Sequence, residues 1–279
     1  MTTSQHLGRD VGAWTRIRIV AGKEFGDCLR SRWLLLGSLL FAILGLAVFF
    51  GTAAIGGTLK YQPLVTVVNS LLSLTVFLLP LLAVLLAYDA FVGEREGGTL
   101  LLMLTYPIGR VEWLLGKAIG QGGALLAVLT LGFAVLPVVQ SVLAVPYGMG
   151  ELLFALLRVV GTAWLLGMVF VMLAYWVSLS VRHKAQALAL LLVLWFASVL
   201  LYDLAMLVVT VAGADHLGRG FVTGMMLANP ASVFRLMNQA ALGIVDFAVP
   251  PFMVMAGILV LWAAALFGCA YGKLKRIAF

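Results

Sequence analysis

Charged side chains are scarce in this chain. Of its 279 residues, only 10% are Asp, Glu, Lys or Arg, whereas 63% are hydrophobic. A typical soluble domain is about 25% charged and about 45–50% apolar. A soluble protein of this size still faces water over much of its area, and so few charges cannot cover that area. The composition therefore excludes an ordinary soluble domain and predicts an integral membrane protein.

Cysteine and histidine are also scarce. The two cysteines, Cys28 and Cys269, cannot supply a disulfide scaffold. The sequence contains no His-Glu-x-x-His or Cys-x-x-Cys motif, and its three histidines fall in different segments, so no dedicated zinc site is expected. These histidines are His6, His183 and His216.

A phosphate-binding loop is missing as well. Such a loop ends in Gly-Lys-Ser/Thr, whose backbone amides cradle phosphates and whose hydroxyl binds magnesium. The two Gly-Lys pairs occur in Gly116-Lys117-Ala118 and Gly272-Lys273-Leu274, which lack the hydroxyl. We therefore expect no nucleotide and no other cofactor to be bound by this chain itself, and we expect it not to be an enzyme.

Six charge-poor apolar stretches are long enough to cross a bilayer, for which a helix needs about 20 residues. Within a transmembrane domain at 34–279, the predicted spans are 34–55, 64–90, 117–143, 152–181, 185–212 and 251–271. The predicted fold class is an all-α integral membrane protein with six transmembrane helices. Because the first apolar run is long and lacks a cleavage site, we interpret it as a retained anchor.

The basic residues are sorted between the two sides of this predicted bundle. Fourteen of the eighteen lie at the termini or in loops on the same side, and three lie opposite, at Lys60, Arg219 and Arg235. Lys and Arg favour cytoplasmic loops, so both termini are predicted to be cytoplasmic. The net charge of +7 thus indicates orientation, and nucleic acid is not an expected partner.

Residues 1–33 are predicted to form a cytoplasmic tail and an amphipathic helix. From Val11 to Arg32, apolar residues recur every three or four positions with basic residues between them. This pattern is typical of a helix that lies in the headgroup plane. Two interpretations stay open, a positively charged surface anchor and an elbow helix packed on the bundle.

Segment 91–116 joins the second and third predicted spans on the cytoplasmic side. Thr99 suits an N-cap, so we predict a short helix from Leu100 to Thr105 after an acidic turn. Pro107 and Gly109 end that helix. A helix this short cannot span the membrane, and its leucines require a covering partner at the water side. A docking surface for a cytoplasmic protein is favoured over an ordinary loop.

Segment 213–250 is the longest predicted non-spanning stretch on the outer side. Asn229 as N-cap, Pro230 at the first helical position and Gly243 at the end indicate a short amphipathic helix along the outer surface. Packing on the membrane surface and binding of a partner both agree with this pattern. The residues predicted to contact a periplasmic partner are Asn229, Pro230, Phe234 and Arg235.

Met225, Met226 and Met237 lie in the same outer segment. Copper(I) favours thioether ligands, which makes them candidate metal ligands. Methionine is also a common filler of apolar packing, and that interpretation is favoured. Asp203 and Arg158, which fall within predicted spans, are interpreted as structural or interfacial charges.

The segment from Phe91 to Lys117 resembles the signature of ABC-2-type permeases: an acidic-Gly-Thr turn, a short Leu-rich helix, then Pro and Gly-Arg before a Gly-Lys. The six-span layout and basic amphipathic N-terminus extend the similarity to essentially the whole chain. A narrower resemblance is to the permeases of transporters that help to mature the copper enzyme nitrous oxide reductase. It rests on residues 86–94, 96–100, 104–110, 229–230 and 234–236.

The resemblance implies a fold like that of type V exporters, with an elbow helix and a cytoplasmic coupling helix that docks on an ATPase. The ATPase would hold ATP and magnesium. Implied partners are a NosF-like ATPase subunit, a NosD-like periplasmic protein, a second copy of the chain and the lipid of a bacterial inner membrane. The implied docking residues are Glu94, Glu96, Gly97, Gly98, Thr99, Leu102, Tyr106, Pro107 and Arg110.

Three functions stay open at this point. The first is a permease that turns ATP hydrolysis in its partner into transport or force, supplying copper or sulfur species for cofactor assembly. The second is an exporter of a lipid, drug or peptide. The third is a passive membrane anchor, which is disfavoured because an anchor needs one span and the sequence predicts six.

Overall fold

The computed structural model describes residues 12–56, 62–106, 108–143, 147–212, 218–245 and 247–277, and all regular structure in these ranges is helical. His6, Arg9, Lys60, Pro107 and His216 lie outside them. The elements are α1 (Ala13–Arg30), α2 (Arg32–Gly56), α3 (Leu64–Ala87), α4 (Val92–Glu96), α5 (Thr99–Thr105), α6 (Arg110–Phe133), α7 (Val135–Val142), α8 (Met149–Ser180), α9 (Lys184–Phe196), a π-helical turn (Ala197–Leu201), α10 (Tyr202–Ala212), α11 (Arg219–Leu227), α12 (Pro230–Ala241) and α13 (Phe252–Lys275).

Six helical stretches among the described residues are long and apolar enough to cross a membrane, which confirms the predicted fold class. They are Arg32–Phe50, Leu64–Glu96, Arg110–Val142, Met149–Ser180, Lys184–Val211 and Phe252–Lys275. The helix that contains the third predicted span begins at Arg110. Its first turn is capped, because the Gly109 amide donates to Glu112 Oε2 at 2.9 Å.

Helix α8 is the centre of the bundle. It packs against α3, α6 and α13, and its apolar side chains Leu166, Phe170 and Tyr175 are buried among them. The fifth and sixth spans are much less buried, so most of their side chains face outward from the single chain. Because the exposed side chains of these two spans are apolar, we expect the spans to face lipid or another subunit.

Helix α1 packs along α6, which supports the elbow interpretation. The two helices approach at two glycines, where a side chain has no room: a Cβ on Gly120 would lie 2.6 Å from the Ala21 carbonyl oxygen. A Cβ on Gly116 would lie 2.6 Å from the Cβ of Val20. Glycine therefore sets the contact distance between the elbow helix and the third span.

The helix of the outer segment is packed into the bundle, whereas the sequence predicts it along the outer surface. Asn229 caps α12 and Gly243 follows it with φ of +70°, so the predicted helix is confirmed. Its placement along the outer surface was wrong, because α12 packs against α3, α8 and α13 and buries Val233, Phe234 and Met237. Helix α11 and the π-helical turn were not predicted.

Candidate functional site

The segment between the second and third spans begins with a short helix. Residues expected to form an acidic turn make α4, which corrects that prediction. Its N-terminus is fixed by α8, because the amides of Phe91 and Val92 both donate to Ser178 Oγ, at 3.2 and 2.9 Å. A buried hydroxyl thus satisfies two amides that have no partner in the first turn of α4.

Helix α5 follows after a left-handed glycine. Gly98 has φ of +70° and occupies the N-cap position predicted for Thr99. Thr99 is instead the first helical residue, and its hydroxyl donates to the Glu94 carbonyl at 3.2 Å. The positive φ of Gly98 turns the chain sharply between α4 and α5, a conformation that residues with a Cβ rarely adopt. Gly97, just before it, has ordinary right-handed geometry.

The exposed part of the segment is apolar. Leu102 and Tyr106 have 57% and 53% of their surface exposed, whereas Leu100 is buried against the bundle. Pro107 lies outside the described residues. Leu102 and Tyr106 therefore form a small surface that faces away from the bundle, and we name this pair the α5 tip.

The base of the segment is held by one buried lysine. Lys117 Nζ, on α6, lies 2.9 Å from Glu24 Oε1 on α1 and 2.8 Å from Glu94 Oε1 on α4. Only 2% of the lysine side chain is exposed. Lys117 thus joins the elbow helix, the third span and the start of the segment, and we call these three residues the Lys117 network.

Aromatic rings enclose the Lys117 ammonium group. It lies 5.3 Å from the ring centre of Phe91 and 5.6 Å from that of Trp113, within the range of cation–π attraction. Phe91 also makes edge-to-face contacts with Trp113 and Tyr175 at 5.2 Å. The Tyr175 hydroxyl donates to Gln121 Oε1 at 3.0 Å, so the polar tip of this ring is satisfied too.

Two residues of α4 reach the turn between the fourth and fifth spans. Arg95 donates to the carbonyls of Val181 and Leu179, at 2.6 and 3.4 Å. Glu96 Oε1 accepts the backbone amide of Lys184 at 3.0 Å. A helix of five residues is in this way tied to the end of α8 and the start of α9.

Arg110 closes the other end of the segment. Its guanidinium donates to the carbonyls of Leu274, Lys275 and Ile277, at 3.3, 2.6 and 3.1 Å. These carbonyls lie at the C-terminal end of α13, where a helix carries partial negative charge and favours a cation. Arg110 therefore joins the start of the third span to the end of the sixth.

A further ion pair joins α1 to the start of α6. Arg16 Nε and Nη2 donate to the two carboxylate oxygens of Glu112, each at 2.8 Å. This two-pronged geometry is the strongest that an Arg–carboxylate pair adopts. Together with the Lys117 network, it fixes the elbow helix at two points along α6.

Cys28, on the buried face of α1, lies close to these charges. Burial, followed by the nearby carboxylates of Glu24 and Asp27, raises the pKa of the Cys28 thiol to about 12. The reactive thiolate is therefore rare at neutral pH, and the side chain acts as a small apolar packing residue.

The residues predicted for a periplasmic partner lie mostly inside the bundle. Phe234 is fully buried and Asn229 is 3% exposed. Asn229 Oδ1 accepts the Ala231 amide, and its Nδ2 donates to the Ser198 carbonyl in the π-helical turn. Pro230, half-buried, opens α12. In this conformation the side chains of Asn229 and Phe234 hold α12 in place and are not offered to a partner.

The remaining candidates at the outer end are charges and methionines. Arg235 Nη2 lies 2.7 Å from Asp203 Oδ2, and both side chains are about a quarter exposed. Arg158 donates to the Ala241 carbonyl at 3.2 Å. Met237 is buried and Met226 packs against the same apolar cluster. These two methionines serve as packing residues in this conformation.

The structure brings most of the predicted docking residues together in one unit. Glu94, Glu96 and Arg110 anchor it, Gly98 turns it, and Leu102 lies at its exposed end. Sequence reasoning missed the structural roles of Glu24, Lys117 and Ser178. The available signal was Glu24, a carboxylate in line with the apolar face of a helix, where an unpaired charge is costly.

Comparisons with known proteins agree with this architecture. The chain matches a family described as ABC-2 family transporter protein over residues 18–279. A probable ABC transporter permease protein NosY from Pseudomonas aeruginosa is 42% identical over 277 residues, covering 94% of this chain and 98% of the relative. A probable NosY from Stutzerimonas stutzeri is 42% identical over 219 residues, covering 78% and 79%.

Proposed function

The chain belongs to the ABC-2 family of transporter proteins and is a multi-pass permease similar to NosY, and we propose that it couples ATP hydrolysis in a separate ATPase subunit to movement in the membrane. The permease itself carries no recognisable nucleotide-binding motif. The residues that would receive the ATPase are those of the segment from Glu94 to Arg110.

One observation carries the proposal: an exposed apolar tip stands on a base fixed by buried charges. Leu102 and Tyr106 are more than half exposed, whereas Glu94 is held by the buried Lys117. Exposed apolar side chains with a charged rim suit a groove on a partner protein. A rigid base allows a displacement of the tip to reach the bundle with little loss in local bending.

The route of that displacement follows the contacts of α4. Through the Phe91 and Val92 amides it reaches α8, through Arg95 it reaches the turn before α9, and through Lys117 it reaches α1 and α6. Arg110 adds the end of α13. Movement of the α5 tip would thus act on spans two to six together with the elbow helix.

We further propose the setting that the relatives' name suggests. The permease sits in a bacterial inner membrane with both termini in the cytoplasm, as a homodimer with two NosF-like ATPase subunits and a NosD-like periplasmic protein. Its task is to support copper or sulfur delivery to nitrous oxide reductase. The supporting facts are the 42% identity to two probable NosY permeases and the sorting of basic residues toward the side of the α5 tip.

Removing the α5 tip tests the docking step. We expect Leu102→Ala with Tyr106→Ala to lower the amount of ATPase that co-purifies by at least about tenfold. A Tyr buried at the centre of an interface commonly contributes about 2 kcal/mol or more, and ~1.4 kcal/mol corresponds to tenfold. The matched control is Trp14→Ala, another exposed aromatic, located on α1. Co-purification at the wild-type level from the double variant would refute docking at the α5 tip.

The purpose of the complex needs a separate readout. In cells that make nitrous oxide reductase, we expect the same double variant to yield reductase with a copper content well below that of the wild type. A fully loaded reductase alongside a lost ATPase would contradict the maturation role and leave docking intact. Normal docking with poorly loaded reductase would refute docking at the α5 tip and show that Leu102 and Tyr106 act in maturation by another route.

Export is the second candidate, and an apolar groove favours it. The groove, of about 670 Å³, lies between α6, α8 and α13, and its lining includes Gly122, Gly123 and Trp164. A lipophilic molecule fits such a surface. ATP-driven movement of a fluorescent lipid in liposomes containing permease and ATPase would support export, and its absence would favour force transmission.

A further inference from the structure

A polar cavity lies between the elbow helix and α4, beside the Lys117 network. Its volume is about 360 Å³. Its wall carries three lysine and four carboxylate side chains, so both signs of charge are present. The charged residues of the wall are Lys23, Glu24, Asp27, Asp89, Glu94, Lys117 and Lys184.

Several of these charges are left incompletely paired. Lys117 holds Glu94 Oε1, but Glu94 Oε2 is buried and has no hydrogen-bond partner among the described residues. Asp89 and Lys184 approach each other only to 4.0 Å, and both are more than 40% exposed. The carboxylate of Asp89 and the ammonium group of Lys184 are therefore both accessible to a ligand in the cavity.

The position of the cavity limits what can enter it. Trp33, at the start of α2, and Leu85 and Leu86, near the end of α3, form an apolar part of the wall. These are the ends of the first two spans, so this wall lies at the boundary between hydrocarbon and water. A ligand with a polar head and an apolar body matches both parts of the cavity.

The charges of the wall select the kind of head. A purely anionic head would face four carboxylates, and a purely cationic head would face three ammonium groups. A zwitterion with N–H donors avoids both conflicts: its ammonium group pairs with Asp89, and its phosphate with Lys184. A choline head does not fit as well, because its quaternary nitrogen has no N–H to donate.

We propose that this cavity binds the phosphoethanolamine head of a phosphatidylethanolamine lipid from the leaflet on the side of the α5 tip. The glycerol and upper acyl chains rest on Trp33 and Leu86. The lipid fills the space between α1 and α4 and so completes the base on which the α5 tip stands. The site shares Glu94 and Thr99 with the segment proposed to receive the ATPase but contains neither residue of the α5 tip, so lipid binding is measured on the permease without its ATPase.

Competition between lipids tests the site. Purified protein in mild detergent is offered equal amounts of phosphatidylethanolamine, phosphatidylcholine and phosphatidylglycerol with identical acyl chains, and bound lipid is counted by native mass spectrometry. We expect phosphatidylethanolamine to be retained at least about tenfold over each of the others, the effect of one charge-assisted hydrogen bond. Equal retention of all three, or preference for phosphatidylglycerol, would overturn the proposal.

Variants at the rim locate the binding. Asp89→Asn and Lys184→Met remove partners from a loose ion pair, so folding is expected to persist. Asp89→Asn removes the partner of the ammonium group and should lower the preference to about the level of phosphatidylcholine. Lys184→Met removes the partner of the phosphate, which all three lipids share, and should lower the retention of all three. Lys273→Met, on an exposed part of α13 outside this cavity, is the matched control and should retain the full preference. Wild-type preference in Asp89→Asn, or wild-type retention in Lys184→Met, would overturn the assignment to this cavity.

Free phosphoethanolamine distinguishes the lipid from a soluble molecule with the same head. Added at the same concentration as the lipid, it is expected to displace almost none, because it lacks the apolar body that rests on Trp33. Displacement of half the bound lipid or more would overturn a lipid as the occupant and assign the cavity to a soluble zwitterion.

Discussion

The two ends of the bundle are held together by different chemistry. At the end with the α5 tip, the ties are charged: Lys117 joins two carboxylates and is almost fully buried. At the opposite end, the buried ties are neutral. Asn238 and Thr162 hydrogen bond to each other at 3.0 Å, and Asn229 caps α12. The ion pair described there, Asp203 with Arg235, is partly exposed.

Because of this difference, the two ends are expected to respond differently to the loss of a bonding partner. A buried charge that loses its partner is destabilised by about 3–5 kcal/mol, whereas a lost neutral hydrogen bond costs about 0.5–1.5 kcal/mol. The charged end is therefore intolerant of rearrangement and suits the transfer of force. The neutral end, with a π-helical turn in its fifth span, can exchange partners at small cost.

Removing the buried lysine is expected to have the largest effect. Lys117→Met keeps the apolar stem but leaves Glu24 and Glu94 without their shared cation, so we expect a loss of about 3–5 kcal/mol in the free energy of unfolding. The measurement is thermal unfolding in detergent, followed by tryptophan fluorescence. Lys273→Met, at an exposed site, should change stability by less than ~0.5 kcal/mol.

A triple variant sharpens the same comparison. Lys117→Met combined with Glu24→Gln and Glu94→Gln removes the uncompensated charges, and we expect it to regain part of the lost stability. If Lys117→Met were as stable as the wild type, the charged end would be no more sensitive to substitution than the neutral end.

The packing of the elbow helix is expected to have the next largest effect. Gly120→Ala places a Cβ 2.6 Å from the Ala21 carbonyl, and we expect a loss of about 1–3 kcal/mol because α1 must move away from α6. At Gly161, on the outer half of α8, a Cβ meets no atom within 4 Å. Gly161→Ala should therefore raise stability by up to ~1 kcal/mol through helix propensity. If Gly120→Ala and Gly161→Ala changed the free energy of unfolding in the same direction, the role assigned to the close contact between α1 and α6 would be contradicted.

The cap of α12 tests the neutral end. We expect Asn229→Ala to lower stability by about 1–2 kcal/mol, because both the cap and the bond to the Ser198 carbonyl are lost. Asn229→Ser retains a capping oxygen but is too short to reach Ser198, so it should cost about half as much. A loss in Asn229→Ala as large as that in Lys117→Met would remove the proposed difference between the ends.

The exposed ion pair at the outer end is expected to have the smallest effect. Asp203→Asn should lower stability by at most about 1 kcal/mol, because water and salt screen a partly exposed pair. The difference from the wild type should shrink further in high salt. A larger, salt-independent loss would show that Asp203 is as strongly coupled as the charges around Lys117.

Much of the fold follows from the sequence alone, because membrane crossing depends on local composition. The six apolar stretches predict the six spans, and Asn229, Pro230 and Gly243 predict α12. The side chain of Glu112 caps the first turn of α6, a contact that composition does not reveal. Likewise, the amphipathic pattern of α12 predicts a helix but not what covers Phe234.

The candidate site was predictable only where its residues are consecutive. Glu94, Gly98, Leu102 and Arg110 lie in one short segment, so a local pattern could indicate them. Their partners lie far away along the chain: Ser178 is 86 residues from Val92, and Lys117 is 93 residues from Glu24. A single sequence contains no record of which distant residues meet, so the base of the segment could not be predicted.

Arg110 has a consequence for the synthesis of the chain. Its acceptors are the carbonyls of Leu274, Lys275 and Ile277, which are made 164 to 167 residues after Arg110 itself. A nascent chain that has not yet reached α13 therefore lacks the groups that fix the start of α6. The segment that would receive an ATPase reaches its final geometry only after α13 has been made, so shorter nascent chains present an imperfect docking surface during biogenesis.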